Sequence, residues 1–278
     1  MEVKFLCPRW GFEGIAWEDF LMQVKAAGYA GIEWFPQGDI EETNHVSMLL
    51  EQYRLEYAIV MEVAQPFSNF SQYIQHLRRD LDRLLQQAPA IKKPLFLSAQ
   101  VGREFFSQQE VAACIQVCAD AQQKHDIPVY QETHRNKWNY AAHTTLPVLK
   151  HHEALLLTLD ISHWYCVSES YLHDQQEAVQ LAITRARHIH ARIGHTEGPQ
   201  VIDPAFEEYQ EALEEHLQVW DQWIAGMKAM KKDYCTITPE FGPLPYLQLA
   251  GRTLSPVQEQ WRLNLWMKNL LQNRYTHE

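Results

Sequence analysis

The feature that most constrains the fold of this chain is an alternation. Short apolar or β-branched runs recur at spacings of a few tens of residues, and each is followed by a stretch with apolar residues three and four apart. That pattern is the signature of repeated strand–helix units and a parallel sheet. Eight units are counted, with strands at Val3 to Cys7, Gly31 to Phe35, Tyr57 to Met61, Pro94 to Ala99, Pro128 to Glu132, Leu155 to Asp160, His188 to Ile193 and Thr236 to Phe241. Helix-like segments such as Trp17 to Ala27, Phe67 to Gln87, Gln108 to His125, Phe206 to Met230 and Pro256 to Leu271 lie between them. The 278 residues are close to the roughly 250 that a (β/α)8 TIM barrel needs. No Pro/Gly/Ser-rich linker or low-complexity stretch divides the chain, so residues 1–278 are expected to form a single α/β barrel domain. The longest irregular stretch, Gly194 to Pro204, follows the seventh strand and would be a loop on the catalytic face.

Charge narrows the partners. With 24 basic against 35 acidic residues, the formal net charge is -11, which repels phosphate backbones and anionic membrane surfaces. No basic run offsets it, so neither nucleic acid nor membrane is expected as a partner. The N-terminal segment MEVKFLCPRWGFEG lacks a basic region followed by an apolar core, and no apolar run approaches the ~20 residues that span a bilayer. The expectation is a soluble, cytoplasmic protein. The five cysteines, Cys7, Cys114, Cys118, Cys166 and Cys235, are odd in number and lack zinc-knuckle spacing, so they are read as reduced and mostly buried thiols.

Four strands in succession end in a residue able to bind a divalent metal: Glu132 in VYQETHR, Asp160 in LTLDISHW, His190 in HIHARIG and Glu240 in TITPEFGP. In a closed parallel barrel these ends converge at one mouth. Three carboxylates and one imidazole make a hard, oxygen-rich donor set that suits Mn²⁺, Mg²⁺ or Co²⁺, with Zn²⁺ or Fe²⁺ as further options. Gathering several carboxylates at one mouth is electrostatically costly unless a cation joins them. Each member also has a simpler reading as a helix cap or loop residue, and Asp160 in particular could close a turn with the following Ile-Ser-His-Trp. His188 shares a strand face with His190 and is read as a buried layer residue. Arg192 continues that face toward a substrate oxygen. Arg135 could grip substrate or pair with an acid, and His195 with Glu197 could touch substrate or be solvated. Trp10, Trp34 and Trp164 follow strands, where they could shape a sugar pocket or pack the core.

In this ordered set, together with the segment AAGYAGIEWFP over residues 26–36, the chain resembles the xylose-isomerase-like TIM barrels. That family includes sugar isomerases, ketose epimerases of the tagatose and psicose type, inosose dehydratase and endonuclease IV. The resemblance covers nearly the whole chain. It implies that Glu132 and Glu240 both bind metal and exchange a proton, that Asp160 and His163 form a ligand-plus-substrate-histidine pair, and that Glu33 lies at the barrel mouth in contact with substrate. The implied activity is isomerisation or epimerisation of a small sugar or polyol in carbohydrate metabolism. A metal that chelates a carbonyl and its neighbouring hydroxyl acidifies the adjacent C–H and stabilises the enediolate. A second glutamate then reprotonates from the opposite face or at the neighbouring carbon. A metal-dependent cyclitol dehydratase and a non-catalytic sugar-binding barrel stand as the alternatives. Only Gly242 and Arg252 near the last strands could favour a phosphate, so an unphosphorylated substrate is expected. Trp220, Trp223 and Met227 share one helix face, which serves either barrel packing or a homodimer contact.

Overall fold

A computed structural model describes residues 1–37, 40–87, 92–249 and 251–276. Eight parallel strands close into a barrel in chain order: β1 (Glu2–Pro8), β2 (Gly31–Trp34), β3 (Glu56–Glu62), β4 (Leu97–Gln100), β5 (Val129–Glu132), β6 (Leu157–Leu159), β7 (Ala186–Ala191) and β8 (Tyr234–Pro239). The helices among the described residues are α1 (Trp17–Ala26), α2 (Ile40–Tyr53), α3 (Phe70–Gln87), α4 (Gln108–His125), α5 (Ala142–His151), α6 (Ser162–Ser168), α7 (Gln176–Arg185), α8 (Gln210–Ala229) and α9 (Pro256–Tyr275). The expected architecture is therefore present, and all eight expected strands lie where the alternation puts them. Strand boundaries differ by up to three residues. The largest consequence is at β7, which starts at Ala186, directly after α7, and ends at Ala191, leaving Arg192 just beyond the sheet.

Local sequence explains several joints. Ser107 and Glu110 form a reciprocal capping box at the start of α4, and Ser255 with Gln258 does the same before Pro256 at α9, satisfying amide groups that a helix start leaves free. Gly31 opens β2 where a Cβ would come 2.2 Å from the carbonyl oxygen of Glu56, so any larger residue would push β2 off β3. The face of α8 that carries Trp220, Trp223 and Met227 is buried, and Trp223 Nε1 donates to the carbonyl of Ala186 at 3.1 Å. That face is spent on barrel packing. All five cysteines are free thiols, four of them buried.

Inside the barrel, Phe96 stacks on Tyr130 at 4.9 Å and lies 4.7 Å from the ring of His188. An apolar layer thus lies under the polar groups described below. At the opposite corner, α9 ties two loops together. Gln260 Nε2 donates to the carbonyls of Trp10 and Phe241 at 2.9 and 3.0 Å, while Asn264 accepts from Phe241 N at 2.6 Å. No described helix is long and apolar enough to cross a membrane.

His216 on α8 is buried and pins the start of the loop after β7. Its Nδ1–H donates to the Ala212 carbonyl at 2.7 Å and its Nε2 accepts from Gly194 N at 3.4 Å, an arrangement only the neutral ring can make. Burial holds it at about 4, against the ordinary 6.5. Between those values the unfolded chain binds a proton that the folded chain does not, so stability falls as pH drops from 6.5 toward 4. We expect this histidine to account for roughly 3 kcal/mol of acid destabilisation, and urea unfolding of a His216→Asn variant should show a correspondingly flatter pH dependence.

Candidate active site

The strand ends converge as parallel closure requires. Glu132 terminates β5, His190 is the penultimate residue of β7, and Asp160 and Glu240 immediately follow β6 and β8. One ligand atom each from Glu132, His190 and Glu240 falls within a 4.8 Å cluster. His190 Nδ1 stands 3.2 Å from Glu240 and 3.6 Å from Glu132. It is buried and has no hydrogen-bond partner among the described residues. On its other side, Nε2 lies 3.0 Å from Glu33. Glu33 also faces His188 Nε2 at 3.5 Å, while His188 Nδ1 donates to the Thr236 carbonyl at 3.0 Å. The carboxylate of Glu33, expected to meet substrate, is thus engaged by two imidazoles.

Asp160 has its own partners. Its carboxylate forms a buried ion pair with Arg192 and accepts from Ser162 N at 3.0 Å and from the Ser162 hydroxyl. The turn suggested by the residues after Asp160 is therefore present, and Asp160 stands beside the Glu132–His190–Glu240 cluster, not in it. His163 is buried against Arg192, whose Nη2 lies 2.7 Å from His163 Nε2. Among the described residues Arg135 makes no ion pair with an acid; it donates to the Tyr246 hydroxyl at 2.8 Å. Trp164 is fully buried and donates to the Asn139 carbonyl, which makes it a core residue. His195 is not among the residues lining the cavity, because its loop closes on itself. Its amide donates to Gly198 O at 2.7 Å and its ring stacks on Tyr209.

The cavity at this mouth has a volume of about 910 Å³ and reaches Glu33, Glu132, Arg192 and Glu240, together with Trp10 and Trp34. Several of its residues carry no signal at strand ends. Gln100, the last residue of β4, donates its amide to both oxygens of Glu132 at 3.0 and 3.1 Å; the strand-end rule reaches it once amides are counted with ligands. His134 and Tyr246 line the wall as well, and nothing in the local sequence marks them.

The electrostatics show an excess of buried negative charge. Burial pushes Glu132 up, opposed by His190 and reinforced by Glu240 and Asp160. Burial likewise raises Asp160 despite Arg192. Burial also resists a proton on His190, yet Glu240, Glu33 and Glu132 hold its affinity well above the ordinary range. Three carboxylates thus surround one imidazole. Such a cluster fits a divalent cation: a buried, unpartnered imidazole nitrogen and two carboxylates within reach of one point are the donors it requires.

The fold is that of the xylose isomerase-like TIM barrels. A protein of that description from Mycobacterium smegmatis, in complex with magnesium, has 11% sequence identity and a TM-score of 0.62, covering 97% of each chain. A probable 3-DHS dehydratase involved in petrobactin synthesis from Bacillus anthracis is 20% identical with a TM-score of 0.63, covering 98% of this chain and 99% of its own. The 3-keto-D-glucoside 4-epimerase of E. coli is 11% identical with a TM-score of 0.60, covering 96% of this chain and 100% of its own. No protein-family model and no curated protein matches the sequence.

Proposed function

We propose that this protein is a divalent-metal-dependent sugar isomerase or epimerase in which Glu132 and Glu240 carry the proton. The observation behind this reading is the buried cluster in which both glutamates flank His190 Nδ1 at the inner end of a large cavity. A cation held by Glu132, His190 and Glu240, with Asp160 beside them, would polarise a substrate carbonyl and acidify the neighbouring C–H. Glu132 accepts the proton at a carboxylate oxygen, and the Gln100 amide fixes that carboxylate's plane. Glu240 returns a proton to the opposite face, which inverts the centre; return to the neighbouring carbon isomerises the sugar. Arg192, lining the cavity, offers an N–H to a substrate oxygen.

An unphosphorylated sugar or polyol fits best. Gly242 N already donates to Gln200 Oε1, and Arg252 is paired with Asp203 and Glu259. The likeness to a probable dehydratase supports a second reading, in which the same deprotonation is followed by loss of a hydroxyl. Metal analysis of the purified protein, followed by incubation with Mn²⁺ and a panel of ketoses in D₂O, separates the readings. Deuterium beside the carbonyl is the expected result. A tightly held metal without exchange favours elimination, and a protein that takes up no divalent metal overturns both.

A further inference from the structure

We propose that the outer half of the cavity is a second subsite, built around Trp10, which takes an uncharged flat-faced group joined to the reacting sugar. The substrate is then a glycoside whose sugar ring itself carries a keto group, the carbonyl that proton transfer needs, and a free ketose is its truncated form. This rests on the sugar chemistry proposed above and adds the substrate class to it.

The cavity's size and its two chemically different ends both point this way. At about 910 Å³ it stands near the top of the range for pockets that enclose drug-sized ligands, more than a single sugar ring fills. The inner end presents Glu132, Glu240, Arg192 and His134. The outer end, formed by the loop after β1 and the end of β2, presents the apolar faces of Trp10, Ile15, Trp17 and Phe35. The carboxylates on this side are each hydrogen-bonded. Glu13 accepts from Gly11 N at 3.0 Å, Glu42 from Trp17 Nε1 at 3.0 Å, and Glu62 from Lys137 at 3.2 Å. The Arg9 guanidinium lies 4.1 Å from the Trp17 ring and donates to the carbonyls of Ile15 and Glu13. A charged substituent entering this half would give up water for carboxylates already hydrogen-bonded and for one unpartnered nitrogen, Arg9 Nη1, of a guanidinium stacked on Trp17. A ring with an apolar face would exchange water for aromatic contact.

Trp10 is built as a fixed platform. The residue is 38% exposed, yet its backbone is tied down and its ring is held on two sides. Its carbonyl accepts from Gln260 Nε2 at 2.9 Å, and its ring meets Tyr246 edge-on at 5.5 Å. The ring also lies over Gly242, where a Cβ would come within 2.4 Å of it. Gly242 is two residues beyond Glu240, so the indole sits beside one of the two proposed proton carriers. A sugar reacting between Glu132 and Glu240 therefore has its linked group beside an aromatic face that is already in place.

Calorimetry with the Mn²⁺-loaded protein tests this, using phenyl and methyl β-D-glucopyranoside as probes. The phenyl glycoside is expected to bind at least about tenfold more tightly. Trp10→Ala should cut that ratio to about threefold or less, and Trp10→Phe should keep most of it. Equal binding of the two probes, no binding of either at about 10 mM, or an unchanged ratio in Trp10→Ala overturns the subsite. Deuterium exchange into free ketoses, run in parallel, keeps the two readings apart. Exchange without the binding ratio leaves the isomerase reading and removes the subsite, whereas the ratio without exchange does the reverse.

Discussion

Glu132→Gln protein loaded with Mn²⁺ is expected to move solvent deuterium into its ketose about 100- to 10,000-fold more slowly than the unaltered protein, the range that loss of a positioned acid or base produces. Glu240→Gln should show the same order of loss, because one glutamate removes the proton and the other returns it. Glutamine keeps the shape and can still meet the Gln100 amide through its carbonyl oxygen, so the thermal midpoint should stay within a few degrees. Stability could even rise, since burial works against the charge that Glu132 carries. Full exchange activity in either variant would sink the two-glutamate mechanism, and metal content measured beside it shows whether a loss comes from the proton carrier or from the cation.

Arg192→Met carries the largest expected effect on stability. Arg192 and Asp160 are both buried and paired with each other, and removing one member of such a pair costs about 3–5 kcal/mol, a large share of the roughly 5–15 kcal/mol that holds a domain together. Burial raises Asp160 even with Arg192 present. Without the guanidinium, folding forces a proton onto the carboxylate or leaves it charged and unpaired. The penalty grows as pH rises through the range where the unfolded carboxylate ionises, so it should be larger at neutral pH than in acid, where both states hold the proton. Adding Asp160→Asn to Arg192→Met should recover part of the loss in urea unfolding. A single-variant loss under about 1 kcal/mol would show that Asp160 finds another partner.

How much of this was legible in the sequence depends on range. The strands are visible because each is a short apolar run bounded by turns; α4 lies at its expected bounds, and α9 starts at the expected Pro256 but runs four residues past Leu271, to Tyr275. Among the segments not singled out, α5 contains Pro147 and α6 is only seven residues long, so neither offers a sustained helical signal. β7 was read two residues late because Ala186 and Arg187 continue from α7 without a break. The strand-end rule found Glu132, Asp160, His190 and Glu240, since position along a parallel strand is local information. It could not say which of them share partners. Glu33 and His190 are 157 residues apart, and Arg192 reaches Asp160 only because β7 stops before it. His195 shows the converse: a polar loop residue resembles a substrate contact until the loop's own hydrogen bonds are seen.

The closing seam of the barrel has a consequence for how the site comes into being. β1 pairs with β8, and α9 then fastens the Trp10 loop to the end of β8. During translation Glu33, Glu132, Asp160 and His190 leave the ribosome before Glu240 does, and β1 keeps an unpaired edge until β8 arrives to cover it. A metal centre that needs Glu240 cannot be completed on a partial chain. Cation uptake would therefore follow closure of the barrel.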